Sequence, residues 1–303
     1  MQLFPILFTG LILGVCVTTA AAEKYPRADL LIEPAQLALP DAASNVVILD
    51  SREQSQYGAG HIPGARWVDH AEWSKGFGDG DDTAGWTKRL ADLGLDTSSK
   101  VIVYDDNLAK DAARVWWILR YWGLNDVRLL NGGWRGWQAA KSPIENQLPP
   151  PAKVTQPKLI PKAGRLATKG DLLSSLTGQK LQIVDARSEG EFCGIEGLSN
   201  KRAGAIPGAK QLEWSDLIDK DTQRFKSAAE LAKLFAAASI DLARPTATHC
   251  QSGGRASVMA FGLELMGAKD VSNYYRSWSE WGNAADTPIV PGKPDQPKSD
   301  GKK

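Results

Sequence analysis

The sequence predicts an α/β protein made of two tandem copies of one domain, each a parallel sheet flanked by helices on both faces. Three observations carry this. The chain has 303 residues, roughly twice the size of a common domain. Its motifs are written twice, in the same order. Short β-branched runs ending in Asp alternate with longer stretches of helical spacing, as in sheets whose parallel strands are joined through helices.

The repeat is the firmest of the three. Val46-Val47-Ile48-Leu49-Asp50-Ser51-Arg52 returns as Leu181-Gln182-Ile183-Val184-Asp185-Ala186-Arg187. Ile62-Pro63-Gly64-Ala65 returns as Ile206-Pro207-Gly208-Ala209, and Val101 to Asp105 corresponds to Thr246 to Cys250. Asp126-Val127 with Trp134 and Trp137 matches Asp270-Val271 with Trp278 and Trp281. Ile62 and Ile206, Asp126 and Asp270, and Trp134 and Trp278 stand at one constant spacing.

The strands are expected at 46–50 and 181–185, and helical spacing marks Asn107 to Trp122, Ala228 to Ala238 and Ala256 to Met266. The first copy is assigned to residues 24–145 and the second to 163–288. Residues 146–162 are rich in proline and read as an extended linker. Residues 289–303, rich in Pro, Lys and Asp, read as a disordered tail.

Thirty-six basic against 35 acidic residues give a formal charge of +1, which argues against a basic nucleic-acid binder. Residues 1–22 carry no charged side chain, run apolar from Leu3 to Val17 and end in Ala20-Ala21-Ala22. They read as a cleavable signal peptide for the periplasm or secretion, although the first residues contain no Lys or Arg. A membrane anchor is the alternative, and the run is short for a span of about 20 residues. The mature chain would have no integral membrane span and would keep only Cys193 and Cys250, too few for a disulfide framework.

The chemistry lies in Thr246-Ala247-Thr248-His249-Cys250-Gln251-Ser252-Gly253-Gly254-Arg255. A strand leads in and a helix leads out. Cys250 therefore sits where the amides of Gln251 to Arg255 have no obligatory partners and can converge on an anion. The helix dipole and Arg255 favour a thiolate over a thiol, and Gly253 and Gly254 permit the close backbone approach of such a cradle. A buried structural cysteine is the plain alternative.

These residues resemble the rhodanese family. Cys250 to Arg255 is similar to its six-residue active-site loop, Asp185-Ala186-Arg187 to its Asp-x-Arg block and Ile206-Pro207-Gly208-Ala209 to its second signature. Ser277-Trp278-Ser279-Glu280-Trp281-Gly282 resembles a segment near the C-terminus of tandem-domain thiosulfate sulfurtransferases. The resemblance implies a ping-pong sulfurtransferase. Thiosulfate or a similar small anionic donor gives sulfur to Cys250, and the persulfide passes it to cyanide or another thiophilic acceptor, which includes a protein acceptor. It implies no metal and no organic cofactor. The catalytic residues would be Cys250 and Arg255, with Gln251, Ser252, Gly253, Gly254, Asp185 and Arg187 around the substrate. Asp105 takes the place of Cys250 in the first copy, where it would repel an anionic donor; that copy is expected to be silent.

The chain departs from the family in ways that bear on the donor. Ser188-Glu189-Gly190-Glu191-Phe192 is acidic where thiosulfate-specific animal enzymes carry a basic residue. Gln251 and Ser252 are neutral, and the loop also differs from the Cys-Gly-(Ser/Ala)-Gly of mercaptopyruvate sulfurtransferases. 3-Mercaptopyruvate as donor, and a non-enzymatic persulfide carrier, are the alternatives. A cysteine phosphatase is disfavoured because its loop needs one more residue between Cys and Arg.

Other residues have plainer readings. Asp185 and Arg187 also suit a helix cap and salt bridge. Cys193 reads as an incidental thiol, with a resolving or disulfide role as the alternative. His61 suits a turn, and His249 should face away from Cys250. Trp116, Trp117 and Trp122 suit core or interface packing. Asp79-Gly80-Asp81-Asp82 lacks the pattern of a calcium loop.

Overall fold

The computed structural model describes residues 24–40, 46–178 and 180–291. The predicted signal segment and most of the predicted tail lie outside the described residues. In the first half, β1 (Leu31–Ile32), β2 (Val47–Asp50), β3 (Arg66–Trp67), β4 (Lys100–Tyr104) and β5 (Asp126–Leu130) form a sheet in the order β1-β5-β4-β2-β3. In the second, β6 (Gln182–Asp185), β7 (Lys210–Gln211), β8 (Thr246–His249) and β9 (Val271–Asn273) are ordered β7-β6-β8-β9. All neighbouring strands are parallel. The counterpart of β1 is reduced to one bridge, Leu166 to Asn273.

Helices cover both faces. The first half contributes α1 (Pro34–Leu37), α2 (Gln54–Ala59), α3 (His70–Phe77), α4 (Thr83–Asp92), α5 (Lys110–Tyr121) and α6 (Gly133–Ala139). The second contributes α7 (Lys169–Gly178), α8 (Glu189–Phe192), α9 (Ala228–Ala237), α10 (Gly254–Leu265) and α11 (Ser277–Trp281). Equivalent strands keep equivalent registers, with Asp50 opposite Tyr104 and Asp185 opposite His249. Both central strands, β4 and β8, therefore deliver their next residue, Asp105 or Cys250, to the carboxyl edge of a parallel sheet, where α/β proteins bind ligands.

The helices that follow these strands join the halves. Almost every residue of α5 and α10 is buried, because each is covered by its own sheet and by the other helix. Trp116 meets Phe261 edge-on at 4.9 Å, and Trp117 stacks on Tyr275 at 5.1 Å. Burying each such ring contributes roughly 1.5–3 kcal/mol. One hydrophobic core accordingly runs through both halves, and Trp116, Trp117 and Trp122 belong to it as expected.

Residues 146–162 form no regular element, as their prolines predict. They are nonetheless fastened along the first half. Thr155 Oγ1 donates to the Leu95 carbonyl at 2.6 Å, and the Lys162 amide to that of Tyr121 at 2.7 Å. The predicted tail boundary at 289 needs correction. Ala205 and Val290 exchange backbone hydrogen bonds of 2.8 and 3.0 Å, so the start of that segment is held by an isolated antiparallel bridge. No helix among the described residues is long and apolar enough to cross a membrane.

Candidate active site at the end of the central strand

The turn after β8 is shaped by what holds its carbonyls. The Cys250 carbonyl accepts the Trp278 amide at 2.9 Å, and the Gln251 carbonyl that of Ser279 at 3.0 Å. The Ser252 carbonyl accepts Arg114 Nη1 at 3.0 Å. The Gly253 carbonyl takes the Ser257 amide and hydroxyl, both at 2.9 Å, and Asn273 Nδ2 at 3.0 Å. A trans peptide points its N–H opposite its C=O. Holding four carbonyls outward therefore turns the amides of Gln251, Ser252, Gly253 and Gly254 the other way, and none of these amides has an acceptor among the described residues. Gly253 caps α10 with φ +83°, which a side chain would strain.

The first half shows what such amides bind. There the Asp105 carboxylate accepts the amides of Asn107 and Ala109 at 3.2 and 3.0 Å, and those of Asp111 and Ala112 at 2.8 and 2.9 Å. The same strand-to-helix turn is an anion cradle filled by its own side chain. Burial and the nearby Asp111 push the Asp105 carboxyl up to about 7, against the four amides that favour its charge. The sequence suggested that Asp105 repels a donor; the geometry adds that its carboxylate takes up the amides of its own turn.

Cys250 itself is buried, with 1% exposure. Its amide donates to Ser277 Oγ at 3.1 Å, and that hydroxyl donates to the Tyr274 carbonyl at 2.7 Å. Ser277 pays for this position with a left-handed φ of 53°, where the first half has Gly133 at 52°. Strain of this kind costs on the order of 1–3 kcal/mol and clusters at functional sites.

Two further contacts fix the turn. Arg255 Nη1 and Nη2 donate to the Glu191 carboxylate at 2.5 and 2.8 Å. Burial would raise the Glu191 carboxyl, but this fork holds it below the usual range. Gln251 and Asn200 exchange amide hydrogen bonds of 3.0 and 3.1 Å, which ties the longer connection of the second half to the loop. Cys193 follows α8, half-buried, and forms no disulfide among the described residues.

Asp185 and Arg187 are brought together, but with each other. Arg187 donates to the Asp185 carboxylate at 2.6 Å and to the Gly204 carbonyl at 2.8 Å, and its guanidinium lies 4.1 Å from the Trp278 ring centroid. Asp50, Arg52, Gly60 and Trp134 repeat the cluster at 2.6, 2.7 and 4.0 Å. A feature common to both halves does not distinguish the one with the thiol. His249 completes the second cluster, 3.4 Å from Asp185, and burial lowers its pKa to about 4. Burial therefore favours its neutral form. His61 hydrogen-bonds the Tyr57 carbonyl in its turn.

Sequence reasoning placed Cys250, Gln251, Ser252, Gly253, Gly254 and Arg255 at one strand-to-helix junction, and the structure does so, with Gly254 and Arg255 opening α10. It missed Arg114, Glu191, Asn200, Asn273 and Ser277. A signal existed for Arg114, a cation on the helical stripe of Trp117 and Tyr121.

The rhodanese-like domain family matches the chain twice, over residues 33–140 and 168–284. The chain belongs to the rhodanese-like family. A thiosulfate sulfurtransferase of Corynebacterium glutamicum is 33% identical over 290 residues, covering 90% of this chain and 94% of that one. A 3-mercaptopyruvate sulfurtransferase of Rattus norvegicus is 32% identical over 287 residues, covering 91% and 93%. Among solved structures, SseA of Escherichia coli superposes with a TM-score of 0.69 at 26% identity, over 83% of this chain and 99% of that one. This tandem rhodanese is a sulfurtransferase.

Proposed function

We propose that this rhodanese moves sulfane sulfur from thiosulfate to cyanide or another thiophilic acceptor through a persulfide on Cys250. The Cys250 thiolate attacks the outer sulfur of thiosulfate, the S–S bond of the donor breaks, and sulfite leaves with the electron pair. Cyanide then attacks the terminal sulfur, thiocyanate departs and the thiolate is restored. The amides of Gln251 to Gly254 offer hydrogen bonds to each anionic sulfur, as preorganised donors do for developing charge elsewhere. One observation carries the reading: the Asp105 carboxylate accepts amides of its own turn, whereas beside Cys250 the amides of Gln251 to Gly254 have no acceptor among the described residues.

Arg255, anchored by Glu191, walls one side of this site. We place Asp185 and Arg187 in the scaffold behind it, since they are spent on each other. The burial of Cys250 shields a persulfide from bulk water and strengthens nearby electrostatics. The first half acts as a silent partner. Residues 1–22 are proposed to export the chain, and the N-terminal sequence of protein recovered outside the cytoplasm tests this.

The test of function is thiocyanate formation from thiosulfate and cyanide, compared between wild type and Cys250→Ala. Turnover that vanishes in the variant supports the reading. Faster turnover with 3-mercaptopyruvate reassigns the donor, and no turnover with either donor favours a sulfur carrier.

A further inference from the structure

Three of the four carbonyl anchors around Cys250 come from the second half. The Ser252 carbonyl is held by Arg114, from α5 of the half without the cysteine. Arg114 is buried, and its Nη1 also donates to Tyr275 Oη at 2.9 Å and to Ser74 Oγ. Its guanidinium approaches the Gly254 backbone so closely that a Cβ there would lie 2.3 Å from Nη2.

Its charge is not cancelled. Arg255 is paired with Glu191 and Arg187 with Asp185, whereas Arg114 has no carboxylate within ion-pair distance among the described residues. The spacing that relates the halves puts Val258 at the equivalent point of α10. A cation is thus supplied toward the loop that carries the thiol, and an apolar residue stands at the matching position of the helix facing the loop that Asp105 already fills. Packing alone would not require this asymmetry.

We propose that Arg114 is a positioning residue for the reaction at Cys250, supplied across the interface by the silent half. Its Nη1 fixes the Ser252–Gly253 peptide with the Gly253 amide turned into the cradle. Its charge makes the cradle more favourable for anions. Gly253 has a left-handed φ and little to resist a peptide flip, so this bond is the one that most needs an outside anchor. The inference rests on Cys250 being the sulfur acceptor, and its test is separable from that reading.

The experiment uses full-length Arg114→Met and Arg114→Lys and follows alkylation of the Cys250-containing peptide by anionic iodoacetate and neutral iodoacetamide. In Arg114→Met the iodoacetate-to-iodoacetamide rate ratio should fall several-fold, and kcat/KM for thiosulfate by about tenfold or more. Arg114→Lys should recover the ratio but not the whole of kcat/KM, because an ammonium keeps the charge and loses the planar geometry that places Nη1 on the Ser252 carbonyl. An unchanged ratio in Arg114→Met, with both rates moving together, would overturn the proposal and leave Arg114 a packing residue. If Cys250→Ala still transferred sulfur, the assignment of Cys250 would fall, while the alkylation ratio would still report on Arg114.

Discussion

Asp105 and Cys250 occupy the same point in the two halves, each the first residue after its central strand. The carboxylate of one accepts four amides from its own turn, while the corresponding turn around the other keeps its amides open. Duplication made two such turns, and the first is filled by its own carboxylate.

Asp105→Ala should therefore destabilise the first half, because the amides of Asn107, Ala109, Asp111 and Ala112 lose their acceptor. An unsatisfied buried donor costs about 1–3 kcal/mol, and an exogenous anion can replace part of what is lost. Urea unfolding should show a loss of about 2–4 kcal/mol, partly recovered in sulfate beyond the gain of wild type. Equal sulfate effects on both proteins would mean that the emptied turn holds no anion.

His249 makes the second half acid-sensitive. Burial lowers its pKa from 6.5 to about 4, so between these values the unfolded chain binds the extra proton. Its contribution to stability is complete above 6.5 and is lost as the pH falls toward 4. In the first half Tyr104 stands here, donating to Asp50 at 2.5 Å and accepting the Ile62 amide at 3.2 Å. His249→Tyr should flatten the fall in urea midpoint between about pH 7 and pH 5. A profile parallel to wild type would contradict the assignment.

Glu191→Ala removes the carboxylate that holds Arg255 and leaves a largely buried guanidinium unpaired. The expected destabilisation is about 2–3 kcal/mol, below that of a fully enclosed pair because Arg255 reaches some solvent. Thiosulfate KM should rise as the loop loses its anchored wall. Chemical denaturation and initial rates check the two parts separately.

Gly254→Ala would drive a methyl into the Arg114 guanidinium. It should lower kcat/KM in wild type but add little to Arg114→Ala, because both changes break the same contact. A double-mutant cycle measures this. Additive losses would mean that Gly254 matters for a reason other than Arg114.

Much of this was legible in the sequence, for local reasons. The runs at 46–50 and 181–185 are apolar enough to specify buried parallel strands, and Gly253-Gly254 after a strand marks a turn with exposed amides. Asp105 in place of Cys250 set the first half apart. What local pattern could not supply was pairing across the fold. Glu191 looked like an acidic departure from thiosulfate enzymes until it was seen to clamp Arg255. Asp185 and Arg187 suited either a substrate role or a salt bridge, and the structure pairs them with each other. Arg114 lies far from Cys250 in sequence and reaches it only because α5 and α10 pack together.

The central claim is that sulfur resides on Cys250 within a turn that favours anions. Protein treated with thiosulfate, desalted and analysed by intact mass and peptide mapping should carry one added sulfur atom, on the peptide containing Cys250 and absent in Cys250→Ser. Sulfur found on Cys193, or an adduct that persists in Cys250→Ser, would contradict the account.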